Sequence, residues 1–177
     1  MQQVAEVKPS GSSVIGERTF ADLLTPLIEP GFRLALAMLH DPQAAEDVVQ
    51  EASFTAWRKL GRIKDIDRIR PWFLGVVANK CRNARRAKWV AGVSLGLPDH
   101  LSVVSTEERT LGGADLRSAV ARLRHQDRLV IALYFYLDMP LEDIAAVVSS
   151  SVGATRARLY RSIRKLRPDL DLQEALR

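Results

Sequence analysis

Asp47, Gln50 and Glu51 lie in one short stretch, DPQAAEDVVQEASFTAWRKL at 41–60, at spacings that place them with Phe54 on a single helical stripe. Carboxylates and an amide leading into an aromatic ring put hydrogen-bond acceptors beside apolar surface, which suits docking to a basic partner. The plain alternative is a solvated acidic face. A second cluster is basic: Lys80, Arg82, Arg85, Arg86 and Lys88 come with no acid among them. Asn79, Arg82, Asn83 and Arg86 share one helical face, opposite the apolar stripe, and such a face fits a phosphate backbone. In a third run Arg156, Arg158, Tyr160, Arg161, Arg164 and Lys165 surround an apolar line of Val152, Thr155, Leu159, Ile163 and Leu166. Guanidinium groups and a phenol on one helix suit base edges and phosphates. Trp72, Phe73 and Trp89 add rings near the second cluster, where unstacked bases find aromatic surface. For Trp57 core packing is the expectation, and for Trp72 and Trp89 both readings stand.

No catalytic constellation accompanies these clusters. His40, His100 and His125 occur in unrelated contexts without a nucleophile at motif spacing, and are read as surface or loop residues. Phosphate-loop signatures are missing, and the single Cys81 with scattered histidines has no zinc spacing. The expectation is a binding protein with no metal, no cofactor and no enzyme activity.

Net charge is +5 and the sequence pI is about 9.7. Because the excess is clustered, nucleic acid is the favoured partner class. The 177 residues, 47% of them hydrophobic, leave room for small cores. No run reaches the roughly 18 apolar residues of a bilayer span, and MQQVAEVKPSGSS lacks the order of a secretory signal, so a cytoplasmic location without membrane insertion is expected.

The elements that position the clusters read as all-α, since the apolar residues follow period 3.6 rather than 2. Residues 1–18 read as a disordered tail, 19–89 as a helical domain, 90–113 as a flexible linker, 114–170 as a second helical domain and 171–177 as a tail. Within the first domain, helix is expected on both sides of a Pro30–Gly31 break. It continues over 41–60 with Asp41 as cap, and from Pro71 to about Trp89 with Phe73, Val76, Val77, Cys81 and Ala84 buried. The charged loop 61–70 is read either as a holder for a flipped base or as a solvated connection. In the second domain Leu116, Ala119, Val120 and Leu123 suggest one helix, and Leu129, Val130, Leu133, Tyr134 and Leu137 another. The short helix LEDIAAVV, a serine turn and a helix over 152–166 then have the pattern of a helix-turn-helix.

AEDVVQEASFTAWRKL, RPWFLGVVANKCRNARR and LEDIAAVVSSSVGATRARLYRSIRKL, in that order, resemble the extracytoplasmic-function (ECF) class of bacterial RNA polymerase sigma factors, sigma-70 family. The resemblance spans about Phe20 to Arg167, and DxxQE before an aromatic and AW is its most specific piece. It implies that the first domain is sigma region 2 and the second region 4. Docking to the polymerase beta-prime coiled coil would fall to Asp47, Gln50 and Glu51, with Phe54 and Trp57 nearby. Opening and holding the minus-10 element would fall to Asn79, Arg82, Asn83, Arg85 and Arg86. Reading the minus-35 element would fall to Arg156, Tyr160 and Arg161, with Arg158 and Lys165 as supporting charges. The resemblance also implies a beta-flap contact and an anti-sigma factor partner. Family members usually carry Gly at the turn where this chain has Ser149–Ser151. Rival readings are a sigma-like module that binds an anti-sigma factor without directing transcription, and a helix-turn-helix regulator that never docks on polymerase. The retained arginines count against the first and the DxxQE helix against the second.

Overall fold

The computed structural model describes residues 17–59, 65–90 and 119–166, which are helical with no strand among them. Helices α1 (Glu17–Leu39), α2 (Pro42–Lys59) and α3 (Ile69–Val90) pack together as the first domain. The second contains a helical turn at 119–122, α4 (His125–Ile131), a π-helical turn (Ala132–Tyr136), α5 (Leu141–Val147) and α6 (Val152–Leu166). The expected linker falls almost wholly outside the described residues, as do both expected tails.

The Pro30–Gly31 break does not occur. Helix α1 runs through Pro26 and Pro30 without interruption. An interior proline costs about 3 kcal/mol, and here burial on both flanks opposes that cost. Leu24 and Leu27 before the prolines, and Leu34, Ala35, Met38 and Leu39 after them, enter the same core. Gly31 is a packing notch: a Cβ there would stand 3.0 Å from Cε1 of the buried Phe73 ring. Helix α1 stops at His40, whose backbone is left-handed (φ 56) and whose N–H donates to the Leu36 carbonyl.

Asp41 caps α2 as expected, its Oδ1 accepting from the Ala44 amide at 3.1 Å. The buried side of α2 is lined by small residues, Ala45, Val48, Val49, Ala52 and Ala56, so the helix lies close against its neighbours while its polar stripe faces out. Of the 61–70 loop, residues 65–70 form a capped 3-10 turn (Ile66–Arg68) leading into α3, with Asp65 accepting from the Asp67 amide. In α3 the expected stripe is buried at Phe73, Val77 and Cys81. Burial pushes the Cys81 thiol up to about 12, which leaves it unreactive.

Tyr134 departs from its expected place in the apolar stripe. The Leu137 amide donates to the Ala132 carbonyl, five residues back, and this π turn shifts the register so that Tyr134, Phe135 and Tyr136 face outward while Leu133 and Leu137 stay inside. The helix-turn-helix follows. Ser149 adopts the left-handed conformation (φ 52) at the turn position that glycine would fill without strain. Ser151 caps α6 by accepting from the Ala154 amide. Thr155, Leu159, Ser162 and Leu166 are the buried line of α6; Ser162 satisfies its hydroxyl on the Arg158 carbonyl.

Candidate nucleic-acid and docking interfaces

Helix α2 turns Asp47, Gln50 and Glu51 to solvent on the face opposite its alanine-rich side. Phe54 is 58% exposed and Trp57 52%, and their rings stack with centroids 5.9 Å apart. The expectation that Trp57 is a core residue is therefore wrong. Alanines at 52 and 56 already fill the helix's inner side, and Trp57 follows Phe54 round the outer one. Arg58 lies over the Phe54 ring at 5.8 Å. Glu51 also accepts from Lys80 Nζ at 2.9 Å, an exposed ion pair that ties the acidic stripe to the flank of α3.

On α3, Asn79, Arg82, Asn83 and Arg86 are exposed together, while Arg85 is half-buried. Arg82 donates to the Asn79 amide oxygen, which orients the guanidinium along the helix. Trp72 is half-buried against the core, and the Trp89 side chain lies outside the described residues. The α3 face and the α2 stripe belong to one three-helix unit, and the Glu51–Lys80 pair marks the seam between them.

On α6, Arg156, Arg161 and Arg164 are exposed, Tyr160 is 64% exposed, and Arg158 is half-buried. Lys165 pairs with Asp127 at 2.6 Å, so its ammonium is held against α4. Helices α4 and α5 both pack on α6, α5 as the first helix of the motif, and the side bearing Arg156, Tyr160, Arg161 and Arg164 stays open.

The histidines correct another expectation. His125 is only 7% exposed. Burial first, then the nearby guanidiniums of Arg85, Arg128 and Arg82, lower its pKa to about 4. His40 is half-buried, and burial together with Arg128 lowers it to about 4 as well. Apolar pattern did not show the burial of His125, because what buries it comes from distant parts of the chain, whereas His40 does lie in the turn between α1 and α2, as a loop residue. His100 lies outside the described residues. Among the described residues no group of His, Cys, Asp and Glu could hold a metal ion, and no helix is long and apolar enough to cross a membrane.

A family model described as Sigma-70 region 2 matches residues 27–90, and one described as Sigma-70, region 4 matches residues 114–166. The ECF RNA polymerase sigma factor SigL of Mycobacterium tuberculosis is 31% identical over 152 residues, covering 81% of this chain and 82% of its own length. The chain belongs to the sigma-70 family, in its ECF class. This sigma factor is also 24% identical over 144 residues to the RNA polymerase sigma factor SigV of Bacillus subtilis, covering 81% of the chain and 86% of the relative. A chain of the co-crystal structure of the sigma factor RpoE with the anti-sigma factor NepR from Bartonella quintana shares the fold at a TM-score of 0.74. It is 20% identical, with 89% of this chain and 99% of that chain covered. The structure of CnrH with the cytosolic domain of CnrY matches at 0.67 and 26% identity, covering 90% and 92%. Sigma factors are transcription initiation factors rather than enzymes, which accords with clusters suited to binding.

Proposed function

We propose that this protein binds core RNA polymerase through α2, opens and holds the minus-10 promoter element on the α3 face, and reads the minus-35 element with α6. The observation that carries the reading is the Phe54–Trp57 pair, stacked in solvent beside Asp47, Gln50 and Glu51. Folding gains little from leaving two large rings exposed, and acids beside them in a basic protein favour a cationic partner over DNA. An ordinary helix-turn-helix regulator has no use for that face.

Asn79, Arg82, Asn83, Arg85 and Arg86 supply phosphate contacts and hydrogen-bond donors for single-stranded bases. Arg156, Tyr160 and Arg161 reach the major groove. Arg158 adds charge from a half-buried position, and Lys165 does so less directly because Asp127 partly neutralises it. Strand opening needs no hydrolysis in this scheme, since holding the unpaired strand supplies the free energy. The solved relative bound to the anti-sigma factor NepR supports an anti-sigma factor as the regulatory partner. The working compartment is the bacterial cytoplasm, where polymerase and promoters meet.

Titration of the purified protein against bacterial core polymerase, followed by mapping of the transcripts the complex initiates, tests the reading. Saturable binding with a discrete promoter set is the expected result. Binding without transcription would favour an interaction module, and no binding would remove the docking assignment.

A further inference from the structure

The two domains are in direct contact, and the contact is polar where it closes. Arg128 of α4 donates from Nη1 to His40 Nε2 at 2.8 Å and to the Met38 carbonyl at 3.4 Å, both at the α1–α2 corner of the first domain. Its other terminal nitrogen, Nη2, donates to the carbonyls of Ala121 and Leu123 in its own domain. Arg70, at the start of α3, donates to the Leu137 carbonyl at 2.7 Å. Arg33 of α1 lies over the Tyr136 ring, 4.4 Å from its centroid. Helix α5 reaches α3 at Gly75, where an added Cβ would lie 3.8 Å from the backbone of Val147.

His40 is the informative residue of this set. The left-handed position after a helix favours glycine or asparagine. Here it carries an imidazole whose Nε2 must be an unprotonated acceptor to receive Arg128.

We propose that this chain carries its own latch: Arg128 seated on His40 and Met38, with Arg70 on Leu137, closes the second domain over α3 in the free protein and must release before both DNA-reading helices can sit on a promoter. The need to release rests on the proposed function; the closure itself does not. Minus-10 and minus-35 elements are about 25 base pairs apart, roughly 85 Å of duplex. In the closed chain α5 lies on α3 and α6 lies on α5. Helices pack roughly 10 Å apart and a 15-residue helix is about 22 Å long, so the two readers cannot span that interval.

The latch is also incompletely satisfied. Arg128 Nε and both ring nitrogens of His125 are buried without a hydrogen-bond partner. The guanidiniums of Arg82 and Arg85, on the proposed minus-10 helix, act on His125 across the same contact. Unpaired buried donors and crowded like charges keep such a contact reversible.

The experiment is energy transfer in the full chain, with dyes on the exposed positions of T25C and E142C. Native Cys81 is buried and stays unlabelled. Gly75→Ala fits the gap and Gly75→Leu does not, although both residues favour helix over glycine. His40→Gly combined with Arg70→Met removes two latch contacts; glycine suits the left-handed cap, so the helix end is kept. Wild type and Gly75→Ala should show high transfer. Transfer should fall in Gly75→Leu and in the double variant, with unchanged circular dichroism, and the closed-to-open ratio should drop by about fivefold for each lost hydrogen bond. Low transfer in the free wild type, or unchanged high transfer in both Gly75→Leu and the double variant, overturns the latch whether or not the protein binds polymerase. Adding core polymerase to wild type should lower transfer. High transfer in a complex that transcribes would show that release is not required.

Discussion

Mild acid should destabilise the folded protein through His40 and His125, and the effect can be worked out from their surroundings. Each pKa falls from 6.5 to about 4 in the fold. Burial is the larger cause for both. His40 also faces Arg128, with Asp41 next to it in the chain; His125 faces Arg85, Arg128 and Arg82, with Asp127 two residues on. Below pH 6.5 the unfolded chain takes up protons that the folded form refuses. The stability held by the neutral rings is therefore fully present above about 6.5 and is lost as pH falls towards 4. Between pH ~7.5 and ~5.5 each histidine accounts for about 1.3 kcal/mol, a loss on the order of 2 to 3 kcal/mol for the pair. Ordinary carboxylates titrate below this window and contribute little within it.

Urea denaturation at the two pH values measures the loss. His125→Leu identifies its source: both ring nitrogens lack partners, so an apolar side chain should leave stability at the higher pH equal or raised and should remove about half of the pH dependence. Stability that does not change between the two pH values in wild type would refute the reasoning. So would an undiminished dependence in His125→Leu.

Other perturbations separate folding from binding. Trp57→Ala, at a half-exposed position, should change stability by less than about 0.5 kcal/mol while weakening core-polymerase affinity in a pull-down. Glu51→Lys should also weaken docking without unfolding, because the Lys80 ion pair it breaks is exposed and worth at most about 1 kcal/mol. Arg161→Ala should reduce binding to minus-35 duplex in a salt titration and leave polymerase affinity intact; equal loss of both would assign Arg161 a structural role. Gly31→Val should cost about 1 to 3 kcal/mol in denaturant unfolding, since its Cβ would start 3.0 Å from the enclosed Phe73 ring.

Local signals were readable wherever one segment contains its own cause. Asp41 was legible as a cap because an acid before proline and a helical run needs no tertiary partner. The 152–166 helix was legible because its apolar line and its basic flanks repeat within the helix itself. Three places were not legible in this way. Helix α1 continues through Pro30 because residues on both flanks enter one core. The π turn moves Tyr134 outward because of one backbone bond to Ala132. Trp57 is exposed because alanines from its own helix already occupy the inner side.

By itself the sequence determined the all-α class, the order of the acidic, basic and helix-turn-helix segments, and which side chains those helices carry, since periodicity and charge are properties of neighbouring residues. Long-range packing settled that Lys80 binds Glu51, that Lys165 binds Asp127, and that His40 and His125 are neutral groups facing Arg128. The physical reason is that burial and pairing depend on what distant segments bring alongside. Arg128 meets His40 across 88 positions of chain, a separation over which local pattern carries no information.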